Sequence, residues 1–248
     1  LTPLPPAEKP VLLRRVYLDL TGLPPTREEL HAFLADPSPE AYERVVDRLL
    51  NSPQHGERWA RHWLDVVRYA DSNGYERDAA KPEVWKYRDY VIRSLNADLP
   101  FNRFILEQIA GDELEDSSES TMVATGYLRL GPWDDEPADF ATDHYDQLDD
   151  LVSTTSQAFL GLTLGCARCH DHKFDPISQP EYYGIAGMLR SSPATHKIPF
   201  GVWSFLNMTE LPETPAQLAE RQQRDAAHEA RLTALKAERD QFEMERTA

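Results

Sequence analysis

Cys166 and Cys169 are the only two cysteines in the 248-residue chain, and His170 follows the second directly in the run Cys166-Ala167-Arg168-Cys169-His170. On a helical turn, positions i, i+3 and i+4 share one face. Two thiols and one imidazole on such a face can add to the two vinyl groups of a haem and reach its iron, which is the chemistry of a c-type attachment site. Three other readings use the same residues. The thiols can form a disulfide or act as a redox dithiol, although a dithiol of that kind usually sits in a βαβ context, and none is visible here. Cys166, Cys169, His170 and His172 can also supply four zinc ligands, but seven residues leave little freedom for a tetrahedral site.

On the haem reading, His170 is the proximal ligand of the iron and the sixth position decides the chemistry. A second His or a Met favours electron transfer, whereas an open site favours gas binding or peroxidase-like work. His62, His144, His196, Met122, Met188 and Met208 are the candidates for the far side. His62 stands out as a metal ligand because Trp59 and Trp63 flank it on a helix and can wall a macrocycle. His172 points away from the ligand face and reads as a supporting or propionate contact. Arg168 and Lys173 can pair with propionates, and the bland alternative for both is solvated surface charge. Phe174, Pro176, Tyr182 and Tyr183 after the motif, with Phe159, Leu160 and Leu162 before it, can line the ring.

Composition bounds the rest. The hydrophobic share of 41% supports a sizeable core. No apolar run reaches the roughly 18 residues that a membrane span needs. Asp and Glu total 42 against 26 Lys and Arg, a net charge of −16. That balance argues against nucleic acid, whose phosphates demand a basic surface. It suits solubility or steering toward a basic partner. The acidic stretch through Asp134, Asp135, Glu136, Asp139, Asp143, Asp146, Asp149 and Asp150 lacks the spacing and glycine of a calcium loop and reads better as a solvated face. Asp149 and Asp150 are expected in the first turns of a helix, where carboxylates favour the dipole. No nucleophile elbow, phosphate-binding loop or dinucleotide fingerprint is present.

The elements that would carry the motif are helical. Proline and capping residues punctuate helices over Leu12–Leu20, after Thr26 with Glu29 as a capping box, after Ser38-Pro39, after Ser52-Pro53, after Lys81-Pro82, over Asn102–Ala110 ended by Gly111, over Asp143–Leu164 stopped by Gly165, and over Gln179–Leu189 capped by Ser178. A short strand is expected within Ile198–Phe205. Residues 1–208 are thus expected to form one all-α, irregular helical domain of cytochrome-c type around a c-type haem. Residues 209–248 are rich in Ala, Glu, Arg and Gln, with Leu218, Leu232, Leu235 and Phe242 on a thin stripe, and read as a charged helical arm. The chain opens Leu1-Thr2-Pro3-Leu4 with neither Met nor a basic leader, which suggests a mature end or an internal cut. It stops at Thr247-Ala248 without a cap, as a truncated part of a longer protein would.

Several stretches together resemble a domain of planctomycete cytochrome-c-associated proteins, long labelled as of unknown function. They are Leu12 to Pro25 (LLRRVYLDLTGLPP), Tyr42 to Leu50 (YERVVDRLL), Gly56 to Asp65 (GERWARHWLD), Arg68 to Asp71 (RYAD), Tyr87 to Ile92 (YRDYVI), Gln108 to Asp112 (QIAGD) and Gly165 to Ile177 (GCARCHDHKFDPI). The resemblance covers about Leu12 to Leu189. It implies an envelope or secreted protein in which this domain stands beside a separate small cytochrome-like domain and a larger C-terminal domain, the latter missing from this sequence. It also implies that His62 and His172 belong to the family's motifs, whereas His144 and His196 do not obviously do so. The expectation from the residues and the resemblance together is a periplasmic or otherwise extracytoplasmic haem c domain. It would pass single electrons to a redox partner or to neighbouring domains of the same chain, or sense redox state, with no nucleic acid partner. The alternatives are a peroxidase-like haem oxidoreductase with an open sixth site, and a haem-free scaffold with a Cys166–Cys169 disulfide or a zinc site.

Overall fold

The computed structural model describes residues 5, 7–192, 195–197, 204–207 and 211–247. The fold is all-α, with one short two-stranded ribbon among the described residues. In chain order the helices are α1 (Lys9–Leu20), α2 (Arg27–Ala35), α3 (Ala41–Leu50), α4 (Pro53–Val66), α5 (Trp85–Asn96), α6 (Phe101–Ala110), α7 (Glu119–Ala124), α8 (Phe140–Thr155), α9 (Gln179–Arg190) and α10 (Pro215–Thr247). Strands β1 (Thr195–Lys197) and β2 (Ser204–Leu206) pair antiparallel with His196 opposite Phe205. The strand expected within Ile198–Phe205 overlaps β2, while residues 198–203 lie outside the described residues.

Local chemistry sets most boundaries. Thr26 and Glu29 close a capping box: Glu29 N–H donates to Thr26 Oγ1 at 3.2 Å and Thr26 N–H to Glu29 Oε2 at 2.8 Å. Each bond satisfies a donor that the first helical turn leaves orphaned. At the start of α9, Ser178 N–H donates to Glu181 Oε2 at 2.6 Å, and Pro53 sits at the start of α4, where its missing N–H costs nothing. Pro39 does not open α3. Glu40 caps that helix, which begins at Ala41.

The helix expected over Asp143–Leu164 is shorter. α8 gives way at Ser156 to a π-turn through Leu160, and Gly161 at φ 66° ends it. A left-handed backbone is nearly free for glycine alone. Consequently Asp149 and Asp150 lie in the body of α8 rather than its first turns, and Asp139 is the residue that caps it.

The chain divides into two compact units, Leu1–Met208 and Thr209–Ala248. In the first, three apolar clusters follow one another along the sequence. Leu13, Val16, Tyr17, Phe33, Val45 and Leu49 knit α1–α3 together. Ala60, Val67, Tyr87, Tyr90, Val91, Phe104, Tyr127 and Leu130 form the largest, around α4–α6. Leu148, Val152, Leu164, Ala167, Tyr182 and Ala186 join α8 and α9 to the cysteine motif.

The second unit is dominated by α10, whose apolar stripe is thin and exposed: Leu235 is 50% and Phe242 64% accessible. Removing residues 212–248 is therefore expected to leave the melting temperature of the remainder within about 2 °C, because little apolar area leaves water there. A drop of 5 °C or more in a calorimetric scan of the truncated chain would show that the segment stabilises the core.

Candidate functional site

The motif lies on a 3-10 turn, Leu164–Arg168, not on an α-helical one, and His170 stands beyond its end. This corrects the expectation that i, i+3 and i+4 share a helical face. A 3-10 turn has three residues per turn, so side chains at i and i+3 eclipse. Leu164 and Ala167 face inward and are buried in the α8–α9 cluster. Cys166 lies on the turn and Cys169 caps its end, and both are exposed free thiols. Gly165 permits the turn to press on α8, since a Cβ there would stand 2.6 Å from Ser153 Oγ.

The flanks are tied down. Arg168 reaches back to α8, donating from Nη1 to Asp149 Oδ2 at 2.9 Å and from Nη2 to Asp146 Oδ1 at 3.1 Å. Those bonds, with Asp146 and Asp149 in turn, hold its guanidinium above its ordinary range. Tyr182 of α9 donates to Asp149 as well, and burial followed by that bond pushes its phenol up. The Arg168 carbonyl accepts from Gln179 Nε2 and from Tyr183 OH, both at 3.0 Å. The sequence allows Arg168 either a haem propionate or plain surface charge. Arg168 is occupied by two carboxylates.

The two histidines play different parts. His170 is exposed, and its Nδ1 stands 2.8 Å from the Asp171 carbonyl oxygen. A carbonyl only accepts, so Nδ1 carries the proton and Nε2 keeps its lone pair. A backbone carbonyl on the far nitrogen is the usual support of a metal-ligating imidazole. Asp171 is itself placed by its Oδ1, which accepts from Gln179 N–H at 2.8 Å.

The His172 side chain, by contrast, is only 5% accessible. Its Nδ1 accepts from Asp175 N–H at 2.9 Å and from Phe174 N–H at 3.4 Å, and Nε2–H then donates to Thr163 Oγ1 at 3.1 Å. Both ring nitrogens are thus engaged in closing the loop, with Asp175 Oδ2 3.2 Å from Nδ1, and the side chain acts as a structural pin. Phe174 projects outward at 83% accessibility, with the Lys173 ammonium 5.1 Å from its ring centre.

The far-side candidates are scattered. His62 on α4 meets Trp59 edge-on at 5.6 Å and lines a cleft of about 360 Å³ with Trp59, Trp63, Val66, Phe101 and Phe104. No residue of Cys166–His170 lines that cleft. His144 lines another, between α8 and α9, that the motif does not reach either. Met188 is an exposed residue of α9, and Met122 lies half-buried on α7. His196 is placed by its backbone in β1, and Met208 lies outside the described residues.

Among the described residues no three His, Cys, Asp or Glu side chains converge as metal ligands, so the four-residue zinc set is not assembled. The acidic stretch is likewise engaged by cations. Asp135 and Glu136 pair with Arg77, Asp146 and Asp149 with Arg168, and Asp150 with Arg68. Sequence reading missed these pairings, which span 19 to 82 residues and leave no local signal.

Residues 1–194 match the family described as PSCyt2, protein of unknown function (DUF1549), and the chain belongs to that family. No curated protein and no solved structure matches it. Among the described residues no helix is long and apolar enough to cross a membrane.

Proposed function

We propose that this chain is a c-type cytochrome domain that holds one covalent haem on Cys166 and Cys169, with His170 Nε2 as the proximal iron ligand, and passes single electrons within a larger extracytoplasmic protein. The observation that carries the reading is the pairing of two exposed free thiols, one on the turn and one at its cap, with an adjacent imidazole whose Nδ1 is already committed to the Asp171 carbonyl. The residues present fit the proximal side of such a group. Bound there, haem would supply one-electron chemistry at its iron. The chain itself contributes two thioether anchors, one oriented imidazole and a turn fixed by Ala167, Arg168 and Gln179. Exposed Leu160 and Phe174 offer apolar surface on either side of the motif in sequence.

A second reading, a haem oxidoreductase with an open sixth site, is favoured by one observation: His62 and His144 line clefts that the motif does not share. Carbon monoxide separates the two. Electron transfer with His62 on the far side predicts a reduced spectrum unaltered by the gas, and an open site predicts a shifted one.

The test is intact mass and a reduced-minus-oxidised spectrum of protein matured in a bacterial envelope with a haem-attachment system. One added haem mass, an α-band, and colour that survives acid-acetone are expected. Cys169→Ala should leave at most one thioether. A matured chain with the bare polypeptide mass would overturn the proposal.

A further inference from the structure

The cleft between α8, α9 and the segment after α7 carries an excess of positive charge that nothing in the cysteine motif uses. It is lined by Arg68, Arg129 and Arg190, with His144, Gln147 and Thr195, and Asp150 is the one carboxylate among its lining residues. Arg68 sits just past the end of α4 in a left-handed conformation, φ 54°, that costs a non-glycine residue on the order of 1 kcal/mol or more. That backbone turns its guanidinium onto Asp150, with Nε 2.7 Å and Nη2 2.6 Å from Oδ2. Gly131 brings the backbone against this pair, since a Cβ there would stand 2.6 Å from Asp150 Oδ2 and 3.2 Å from Arg68 Nη2.

Arg129 is the unusual member. Its guanidinium lies 5.2 Å from the Trp133 ring centre, its Nη1 makes only a long 3.4 Å bond to the Gly131 carbonyl, and its Nε and Nη2 are buried without any partner. Buried guanidinium N–H groups left unpaired by the protein cost free energy, and water or a bound ion is what completes them. Behind it, Lys81 Nζ donates to the carbonyls of Leu130 at 2.9 Å and Gly131 at 3.0 Å. Burial, with repulsion from Arg129 and Arg68, lowers that ammonium to about 8, and burial lowers Arg129 to about 10. A chain of net charge −16 has thus gathered cations around a single carboxylate.

We propose that this cleft binds a small doubly charged oxyanion, sulfate or phosphate, held by the guanidinium groups of Arg129, Arg68 and Arg190. Planar guanidinium forks match the spacing of oxyanion oxygens and donate two bonds at a time. The cavity volume of about 50 Å³ suits a tetrahedral ion or the head of an ester. It is far too small to enclose a drug-sized ligand, which needs roughly 300 Å³ or more. Arg190 is exposed at the end of α9, so an ester could enter by its charged head and leave its remainder in solvent.

The test is titration calorimetry and thermal melting of the whole chain with sodium sulfate and sodium phosphate, against sodium chloride at equal ionic strength. Phenyl sulfate and phenyl phosphate serve as the ester arm. Saturable binding of sulfate or phosphate, with a melting rise that chloride does not give, is expected. Arg129→Gln and Arg190→Gln should each weaken it by about tenfold or more, a loss near 1.4 kcal/mol. Arg190 is at the surface, so its variant keeps the test decisive if Arg129→Gln does not fold. Equal binding of the phenyl esters supports an esterified ligand, and binding of the inorganic ions alone supports the free ion. Melting shifts no larger than chloride's, or Arg190→Gln and Arg129→Gln that bind as the parent does, would overturn the proposal.

Discussion

His170→Ala and His172→Ala are expected to fail in opposite ways. In haem-loaded protein, His170→Ala should abolish the low-spin spectrum, while in the haem-free chain it should leave the unfolding free energy within about 0.5 kcal/mol of the parent, because the exposed ring makes only one bond there, to the Asp171 carbonyl. His172→Ala should keep the haem spectrum and lower stability by about 2–3 kcal/mol. Its ring is buried and holds the Asp175 and Phe174 amides on one side and the Thr163 hydroxyl on the other. Truncation leaves the part-buried Asp175 amide unpaired, at roughly 1–3 kcal/mol, and removes a packed ring, while the exposed Phe174 amide and Thr163 hydroxyl can turn to water. Visible spectra and urea titrations of the two variants, run side by side, read both quantities. Spectral loss in His172→Ala with none in His170→Ala would reverse the assignment of ligand and pin.

Sequence reasoning reached as far as local rules reach. A capping box at Thr26, a cap at Ser178, Pro53 at a helix start and Gly111 at a helix end are short-range devices, and the structure places each where the residues predict. α7 went unread because its box uses Thr121 where Glu or Gln is the recognisable partner. The end of α8 went unread for another reason. Phe159, Leu160, Leu162 and Leu164 continue the apolar pattern through the π-turn, so periodicity carries no trace of the break at Gly161. In the motif, the identity and spacing of Cys166, Cys169 and His170 were legible. Their 3-10 geometry was not, because it follows from Leu164 and Ala167 seeking the α8–α9 cluster, a tertiary demand that overrides the helical expectation. The same limit hid the charge network. The Arg68–Asp150 pair and the cations around it come together only when segments 82 residues apart in sequence fold onto one another.

Gly111→Ala is expected to be among the most damaging single-methyl changes in the chain. Gly111 ends α6 at an ordinary right-handed φ of −63°, so backbone freedom is not the reason a glycine stands there. Space is the reason. A Cβ at this position would drive into the carbonyl oxygens of Thr121 and Glu107 and come within 2.8 Å of the Thr121 carbonyl carbon. These are backbone atoms, and Thr121 is pinned within the Ser118 capping box of α7, where Ser118 N–H donates to Thr121 Oγ1 at 2.9 Å. Neither side can swing away as a flexible side chain would, so α6 and α7 must separate. Parting them disturbs the packing beneath, where buried Gln108 accepts from Tyr87 and Trp63, and Glu107 accepts from Tyr90. Overpacking of a tight core contact costs typically 1–3 kcal/mol, and exposing part of that polar network adds to it, so a loss of about 3 kcal/mol or more is expected. Gly126→Ala is the matched control, because its added Cβ would meet only Tyr87 side-chain atoms at 3.7 and 3.8 Å, ordinary contact distances. Urea unfolding of the two variants against the parent gives the comparison. Equal, small losses in both would mean that α6 and α7 part at little cost, and that the QIAGD run from Gln108 to Asp112 does not owe its glycine to this close approach.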